Sequence, residues 1–271
     1  QPFWQQKALI ALEWMVGRVT THWIAVSQAD RRQGIEWGLF TASKVSVVRP
    51  GIDPTAFAAR IESTERDRLR ALLGVGPDQL LVGTVSCLKP QKSPEDFVRV
   101  AALVCQRVPA ARCVLVGDGV LRPNIEALLL AQGLQNRVTL LGWRRDVAAL
   151  LKTFDVFVLT SQWEGLPCAI LEARASRIPI VATRVGGAAE AIVEGIQGTL
   201  CPAGDVRAMA ERVCQILEDE RFRVDLRTGT QELPEEFTIQ ETLKQYQSLY
   251  AYLLHATRPS EDVMKLQPNR L

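Results

Sequence analysis

Two glutamates, Glu164 and Glu172, flank a predicted turn between a strand and a helix. The apolar run at residues 155–160 is typical of a buried strand, and Gly165 interrupts it. Pro167 suits the first turn of a helix, where its missing N–H group costs nothing. We therefore expect Glu164 in the loop at the mouth of the helix and Glu172 about two turns inside it, which separates the carboxylates by roughly 12 Å at most.

The N-terminus of this predicted helix offers free backbone N–H groups, which form a ready site for anions and for phosphate in particular. A ligand with hydroxyl groups at both ends and phosphates between them would match the two carboxylates, and a nucleotide-sugar has this layout. Two glutamates at this spacing also occur by chance on solvated helices. The strand-to-helix turn favours the binding interpretation, because open α/β sheets bind ligands at the carboxyl ends of their strands.

A lysine in an earlier loop, Lys92, could neutralise a leaving diphosphate. It lies between a predicted strand at 80–85 and a helix that begins near Pro94, and an ordinary surface lysine is the alternative. Gly-Asp-Gly at 117–119 and Gly-Gly at 186–187 also join predicted strands to helices. The first resembles half of a dinucleotide-binding fingerprint, and both could be plain tight turns.

Composition narrows the class of protein. The 271 residues carry 32 basic and 30 acidic side chains, so no field on the scale of a nucleic-acid-binding protein is expected. The six cysteines form no Cys-x-x-Cys pair, which indicates reduced thiols in a cytosolic protein. No Asp-x-Asp occurs, which removes one common way to hold a metal–diphosphate complex, and no apolar run is long enough to predict a membrane span.

From residue 78 onward, short apolar runs alternate with helical patterns. Strands are predicted at 80–85, 113–116, 138–141, 155–160, 178–183 and 198–202. Helices are predicted at 94–107, 121–132, 146–151, from Pro167 onward, at 188–193, 206–217 and 239–255. This alternation predicts an α/β fold, a doubly wound parallel sheet with helices on both faces.

The first 52 residues resemble the end of another domain, with predicted helices at 4–17 and 28–37 and strands at 22–27 and 44–49. Four of the six tryptophans fall here, near several arginines. They could form a membrane-surface patch, or they could pack a domain whose other strands lie outside this chain. Because the opening residues look like mid-domain sequence, we expect a fragment of a longer protein.

Four motifs occur in the order typical of one enzyme family: Val-Ser-x-Ala-Asp at 26–30, Val-Val-Arg-Pro-Gly-Ile-Asp at 47–53, Lys-Pro-Gln-Lys-Ser at 89–93, and Glu164-x7-Glu172. With them the chain resembles the retaining glycosyltransferases of family 4, which have the GT-B fold, from about residue 20 to 220. The resemblance implies two Rossmann-like domains that face a cleft, the first truncated here. The second would bind a nucleotide-sugar donor, and a final helix would cross back to the first.

The resemblance also implies a role for each matching residue. Glu164 would hydrogen-bond hydroxyls of the donor sugar, and Lys92 would stabilise the departing diphosphate in place of a metal; these are the predicted catalytic residues. Glu172 would hold the ribose hydroxyls. The other predicted donor-binding residues are Ser86 in the lysine loop, Gly142 and Trp143 near the base, and Gly165, Leu166 and Pro167, whose backbone would lie against sugar and diphosphate.

The domain boundaries expected from the resemblance follow the chain. They are 1–52 for the end of the acceptor-side domain, 53–77 for a linker with a charged, solvated helix, 78–220 for the donor-binding domain, 221–258 for the segment that crosses back, and 259–271 for a tail.

The implied activity is metal-independent glycosyl transfer, with retention of configuration, from a nucleotide-diphosphate sugar to a saccharide or lipid-linked acceptor in surface polysaccharide or glycolipid synthesis. No metal, cofactor or nucleic-acid partner is implied, and the location would be cytoplasmic, with peripheral contact to the inner face of the membrane. Two alternatives stay open: a non-catalytic module that binds nucleotide-sugars, and a GT-B-fold sugar-nucleotide isomerase. The epimerases of this fold use cleft histidines that this chain lacks.

Two features depart from the family pattern. The family loop usually reads Gly-Arg-Leu-x-x-x-Lys-Gly, and here Cys87 stands where the arginine that clamps the phosphates should be. Another cation such as Arg184 would have to substitute, or diphosphate binding is weaker. The acceptor-side domain lies mostly outside this chain, so we predict that the chain alone binds a donor but transfers sugar poorly or not at all.

Overall fold

Residues 3–52 form a small parallel sheet with its helices in the computed structural model, which describes residues 3–229 and 232–256. Their elements are α1 (Phe3–Gly17), β1 (Trp23–Ala25), α2 (Gln28–Glu36) and β2 (Val45–Val47). The order of helices and strands is the predicted one, although each strand is three residues long instead of six. The hydroxyl of Ser27 caps α2 by accepting a hydrogen bond from the N–H group of Asp30 at 3.0 Å.

Two further helices, α3 (Thr55–Ala58) and α4 (Ser63–Leu72), lead into the main domain. The expectation that the charged helix α4 is solvated is wrong for one of its faces. Arg70 is 5% exposed and reaches Asp155 at 3.0 Å, and Arg66 reaches the same carboxylate at 3.2 Å. Because a buried carboxylate needs compensating charge, these arginines turn inward.

Six parallel strands then form the main sheet in the order β5-β4-β3-β6-β7-β8. The strands are β3 (Leu80–Val85), β4 (Ala111–Val116), β5 (Val138–Gly142), β6 (Val156–Leu159), β7 (Ile180–Thr183) and β8 (Gly198–Cys201). The helices after them are α5 (Pro94–Arg107), α6 (Arg122–Ala131), α7 (Val147–Leu151), α8 (Cys168–Ala175), α9 (Ala188–Ala191) and α10 (Val206–Glu218). The predicted doubly wound parallel sheet is confirmed, and its strand order reverses between β3 and β6.

Two apolar clusters cover the two faces of this sheet. One contains Phe97 and Val104 of α5 with Val213 of α10. The other contains Phe154, and Ile170 of α8. Strands that are apolar on both faces need such cover, which explains the continuous apolar runs in the sequence.

The last described elements are α11 (Glu220–Gly229) and α12 (Ile239–Ala256), and only the second was predicted as a helix of its own. The segment before α12 pairs with residue 52: the N–H group of Ile52 donates to Phe237 O at 3.0 Å, and that of Ile239 donates to Ile52 O at 3.0 Å. The chain thus returns to the end of its first segment. The predicted tail at 259–271 lies outside the described residues.

Candidate functional site

The loops after β3 and β6 meet at the carboxyl edge of the sheet. These strands are neighbours, with Val82 aligned to Val156 and Gly83 to Phe157, and the strand order reverses between them. Such a switch point opens a crevice at the strand ends, where α/β sheets bind ligands. Lys92 lies in the first loop and Glu164 in the second.

Lys92 and Glu164 form an ion pair in this crevice, between Nζ and Oε1. Their side chains are 17% and 6% exposed. The alternative of an ordinary surface lysine is therefore wrong. The structure brings the two predicted catalytic residues into contact across 72 positions of sequence.

Two residues that the sequence analysis did not single out complete this cluster. The hydroxyl of Ser161 donates to Glu164 Oε1 at 2.6 Å, and Gln91 Nε2 lies 3.4 Å from Glu164 Oε2. Thr160, at the end of β6, bridges the loops by donating to Lys92 O at 3.1 Å. The sequence signal that could have identified Thr160 and Ser161 is their position directly after a buried strand.

Ser93 follows Lys92 in the left-handed conformation, with φ 45° and ψ 57°. The family pattern has glycine at this position, and glycine adopts such angles without strain. Ser93 caps the loop by donating from its hydroxyl to Asp96 Oδ2 at 2.7 Å. The backbone path that the family glycine would favour is thus present here with a serine.

The Gly-Gly turn at 186–187 supports the Glu164 loop by close backbone contact. Gly186 has φ 45°, and a Cβ atom there would lie 1.7 Å from Glu164 O. The N–H group of Gly187 donates to Gly165 O at 2.7 Å. These glycines therefore serve the packing of one loop on another.

The Gly-Asp-Gly segment supports the lysine loop in the same way. Gly117 has φ 132°, and a Cβ atom there would lie 2.0 Å from Ser86 O. Asp118 accepts from the N–H group of Gly119 at 2.8 Å and pairs with Arg122 at 2.9 Å. The close contact of Gly117 fixes the backbone of Ser86, a predicted donor-binding residue that is 9% exposed.

Gly142 and Trp143 lie at the carboxyl end of β5, on the same edge of the sheet. Gly142 has φ 66°. Its carbonyl oxygen accepts a hydrogen bond from the N–H group of Gly117 at 2.8 Å. Trp143 is 71% exposed. An exposed indole at this edge offers a flat surface on which a base could stack.

Glu172 lies in α8, which begins at Cys168, one residue after Pro167. No side chain of the described residues donates a hydrogen bond to its carboxylate. Burial raises the pKa of Glu172 to about 6. The carboxylate is thus free to accept from hydroxyl donors of a ligand, as a ribose contact requires.

Arg184, the candidate substitute for the missing family arginine, is already paired. Its Nη2 lies 2.6 Å from Glu194 Oε2, and both side chains are about half exposed, at 52% and 45%. Cys87 is half-buried and contributes no cation. Within the described residues, the cation paired with Glu164 is Lys92.

The first segment of the chain touches the Glu164 loop directly. A Cβ atom on Gly165 would lie 2.6 Å from Val26 and 3.2 Å from Asp30 Oδ2. Burial raises the pKa of Asp30, while its hydrogen bond with Ser27 lowers it and the charge of Glu190 raises it. The motif at 26–30 therefore contributes contacts that the sequence analysis did not assign.

The chain belongs to the family described as glycosyl transferases group 1, whose model matches residues 65–233. The α/β fold with its parallel six-stranded sheet has GT-B glycosyltransferases as structural neighbours. The family resemblance and the predicted fold class are confirmed.

Three similar proteins illustrate the relationship. The chain is 28% identical over 242 residues to the Escherichia coli UDP-Gal:alpha-D-GlcNAc-diphosphoundecaprenol alpha-1,3-galactosyltransferase, covering 88% of this chain and 62% of that protein. It is 31% identical over 184 residues to the Bacillus anthracis N-acetyl-alpha-D-glucosaminyl L-malate synthase, covering 68% of this chain and 48% of that one. The crystal structure of Anabaena Alr3699/HepE in complex with UDP-glucose is 27% identical with a TM-score of 0.77, covering 85% of this chain and 64% of that one.

The chain therefore spans about half to two thirds of the length of these proteins. Within residues 3–229 and 232–256, no helix is both long enough and apolar enough to cross a membrane.

Proposed function

We propose that this chain is the donor-binding part of a retaining glycosyltransferase, which transfers a sugar from a nucleotide-diphosphate donor without a metal ion. The observation that carries the proposal is the buried Lys92–Glu164 pair at the switch point of the sheet. The acceptor would be a saccharide or a lipid-linked saccharide, in surface polysaccharide or glycolipid synthesis. We also expect a cytoplasmic location with peripheral contact to the inner face of the membrane.

Known proteins support the choice of substrate class. The name of the E. coli relative states a UDP-sugar donor and a diphosphoundecaprenol-linked acceptor. The Anabaena structure contains UDP-glucose. The Anabaena protein has the same fold over 85% of this chain, so a nucleotide-sugar is the ligand that we expect at the carboxyl edge of the sheet.

Each residue of the cluster has a chemical task in this proposal. The ammonium group of Lys92 would stabilise the negative charge that grows on the leaving diphosphate, because a fixed charge in a water-poor site acts without reorganisation. Glu164 would accept hydrogen bonds from the sugar hydroxyls, and Ser161 would keep its carboxylate in place. The acceptor would attack from the face that the nucleotide leaves, which retains the anomeric configuration.

Calorimetric titration with UDP, GDP and ADP, with EDTA and no added metal, tests donor binding. We expect the chain to bind one of the three nucleotides, and Glu172→Ala to weaken that binding at least tenfold through loss of the ribose contact. Glu211→Ala is the matched control, since Glu211 is an exposed residue of α10 away from this edge. Absence of binding by all three nucleotides, or equal binding by Glu172→Ala, would contradict the proposed site.

The stereochemistry is tested separately, with the chain joined to an acceptor-side domain. NMR of the newly formed glycosidic bond should show the anomeric configuration of the donor, in the presence of EDTA. An inverted product or a strict requirement for a divalent ion would overturn the mechanism while leaving donor binding intact.

The non-catalytic alternative has one observation in its favour, which is Cys87 in the position of the family arginine. Cys87→Arg distinguishes the two functions. A large gain in nucleotide affinity would indicate a decayed site, whereas an unchanged affinity would support a site that functions with Lys92 alone.

A further inference from the structure

A second concave site lies at the opposite edge of the main sheet. It is a cleft of about 600 Å³, and we call it the basic cleft. Its positively charged wall consists of Arg60, Arg66, Lys152, Arg177 and Arg227. Lys152 lies just before β6, and Arg177 lies just before β7. The basic cleft is therefore at the amino ends of these strands, and the proposed donor site is at their carboxyl ends.

The charge of the basic cleft is mostly uncompensated. Among the described residues, no acidic side chain lines the basic cleft. Glu232 lines a neighbouring recess, which shares Arg177 with the cleft. Arg66 is paired with Asp155 at 3.2 Å, and Lys152 donates to a backbone oxygen at 2.7 Å. Three guanidinium groups make no hydrogen bond or ion pair with another described residue: Arg60, Arg177 and Arg227.

Gathering these cations carries an electrostatic cost. Burial lowers the pKa of Arg66, the charge of Asp155 raises it, and the charges of Arg70 and Arg227 lower it. Burial also lowers the pKa of Lys152. A concave wall with charges of one sign concentrates its field, and so raises the local concentration of ions of the opposite sign.

A neutral polar group in the same wall also lacks a partner. The Oγ atom of Ser176 is buried and makes no hydrogen bond among the described residues. Ser176 lies between α8 and Arg177, in the lining of the basic cleft. Buried polar atoms normally find a partner, so this hydroxyl is an unpaired polar group beside the basic cleft.

The backbone of Arg177 gives a third observation. The N–H groups of Arg177 and Ile178 donate to Arg174 O at 2.8 Å and Ala173 O at 3.1 Å, which forms a Schellman end to α8. Arg177 itself has φ 56°, a conformation in which glycine is strongly favoured. An arginine here does not help the helix to end, but it adds an unpaired guanidinium to the basic cleft.

We propose that the basic cleft binds a soluble ligand with at least two phosphate charges, such as a phosphorylated sugar or an oligophosphate. Guanidinium groups hold phosphate oxygens in bidentate fashion, and three of them are unpaired here. The volume falls within the range of small-molecule sites. The concave shape, with Phe57 and Ile61 in its wall, fits a compact ligand better than a flat membrane surface.

Calorimetric titration of the 271-residue chain with inorganic pyrophosphate tests this proposal. We expect binding that Arg177→Gly and Arg227→Ala each weaken at least tenfold. Because glycine suits the backbone of residue 177, Arg177→Gly should keep or raise the melting temperature, so weaker binding would not reflect unfolding. Arg207→Ala, at an exposed arginine of α10 outside the basic cleft, should bind as the unmodified chain does.

Two further arms separate other sources of binding. Because Lys92 is proposed to bind the donor diphosphate, Lys92→Ala removes any pyrophosphate binding at the donor site. It should retain the binding that Arg177→Gly and Arg227→Ala weaken, since the donor site lies at the opposite edge. Cosedimentation with vesicles of phosphatidylglycerol and phosphatidylcholine measures attraction to a lipid phosphate. No pyrophosphate binding, binding lost in Lys92→Ala but kept in Arg177→Gly, or binding to vesicles without binding to pyrophosphate would each overturn the proposal.

Discussion

Glu164 and Glu172 are identical side chains in different surroundings, which gives them different chemistry. Glu164 receives the ammonium group of Lys92 and the hydroxyl of Ser161 on one oxygen. Glu172 lies half-buried in α8, and no side chain of the described residues donates a hydrogen bond to its carboxylate. Burial raises the pKa of Glu172 to about 6. The first carboxylate is held in place, and the second is available to a ligand.

The raised pKa of Glu172 predicts a dependence of stability on pH. Between the unfolded value near 4.5 and the folded value of about 6, the folded state binds more protons, so this residue lowers stability as pH rises through that window. Glu172→Gln removes the effect. We expect the variant to gain about 1 kcal/mol relative to the unmodified chain between pH 4.5 and pH 8, after allowance for partial exposure.

Urea unfolding at the two pH values measures this difference. Glu211→Gln serves as the control at an exposed position and should show no such change. Equal stability differences for Glu172→Gln at both pH values would contradict the prediction.

The Lys92–Glu164 pair predicts a loss of stability when one partner is removed. Lys92→Met leaves a largely buried carboxylate without its cation, which should lower the free energy of unfolding by about 2 kcal/mol. Addition of Glu164→Gln should restore part of the loss, because the uncompensated charge is then gone. Lys244→Met removes a lysine that is 71% exposed and paired with Glu241, and should cost less than about 0.5 kcal/mol. Additive losses in the double variant, measured in urea, would refute this account.

At the scale of elements, the candidate site depends on loops that pack against other loops. Gly117 fits against Ser86, and Gly186 fits against Glu164, each where a Cβ atom would overlap a carbonyl oxygen. Helix α8 joins the two proposed sites, with the Glu164 loop at its N-terminus and Arg177 of the basic cleft at its C-terminus. The two loops are therefore fixed by neighbours distant in sequence, whereas the C-terminal end of α8 is fixed by local hydrogen bonds.

Gly186→Ala is expected to displace the Glu164 loop. The new Cβ atom would meet Glu164 O at 1.7 Å in a backbone with φ 45°, so we predict a loss of at least about 2 kcal/mol and weaker nucleotide binding. Gly74→Ala is the matched control, since Gly74 has φ 72° with nothing within 4 Å of an added Cβ. It should cost only about 1 kcal/mol, the strain of the left-handed conformation. Similar losses for both variants in thermal unfolding would rule out a specific contact with the loop.

At the scale of the whole molecule, Glu190 joins the first segment to the main domain. Its carboxylate accepts from the N–H groups of Gln28 at 3.1 Å and Ala29 at 2.8 Å, at the start of α2, and pairs with Arg49 at 2.9 Å. A carboxylate at a helix N-terminus is favourable both as a hydrogen-bond acceptor and as a negative charge. This contact holds the motif at 26–30 against the Glu164 loop.

Glu190→Ala is expected to loosen this joint without unfolding the main sheet. Amide hydrogen exchange at Gln28 and Ala29 should become at least about tenfold faster, because local opening no longer breaks these bonds. Strand β6 should keep its protection. Unchanged exchange at both amides would show that other contacts hold the first segment.

Much of the fold follows from local patterns. The alternation of apolar runs and helical spacing identified all six strands of the main sheet, since burial on both faces requires a continuous apolar run. Helix α11 was missed because it is largely charged, with Leu226 buried. The solvated face assigned to α4 was wrong in part, because composition does not reveal that Arg66 and Arg70 meet a carboxylate 85 or more residues away.

The sequence by itself determined the family, the strands of the main sheet, the placement of Lys92 and Glu164 in loops after strands, and that of Glu172 in the helix that follows, because these depend on residues close together in the chain. Only the tertiary structure decided that β3 lies beside β6, that Lys92 meets Glu164, and that five basic residues from separate elements form one cleft. Strand order and ion pairs join residues that are far apart along the chain. No local periodicity records such contacts, so they emerge only when the sheet and its helices pack.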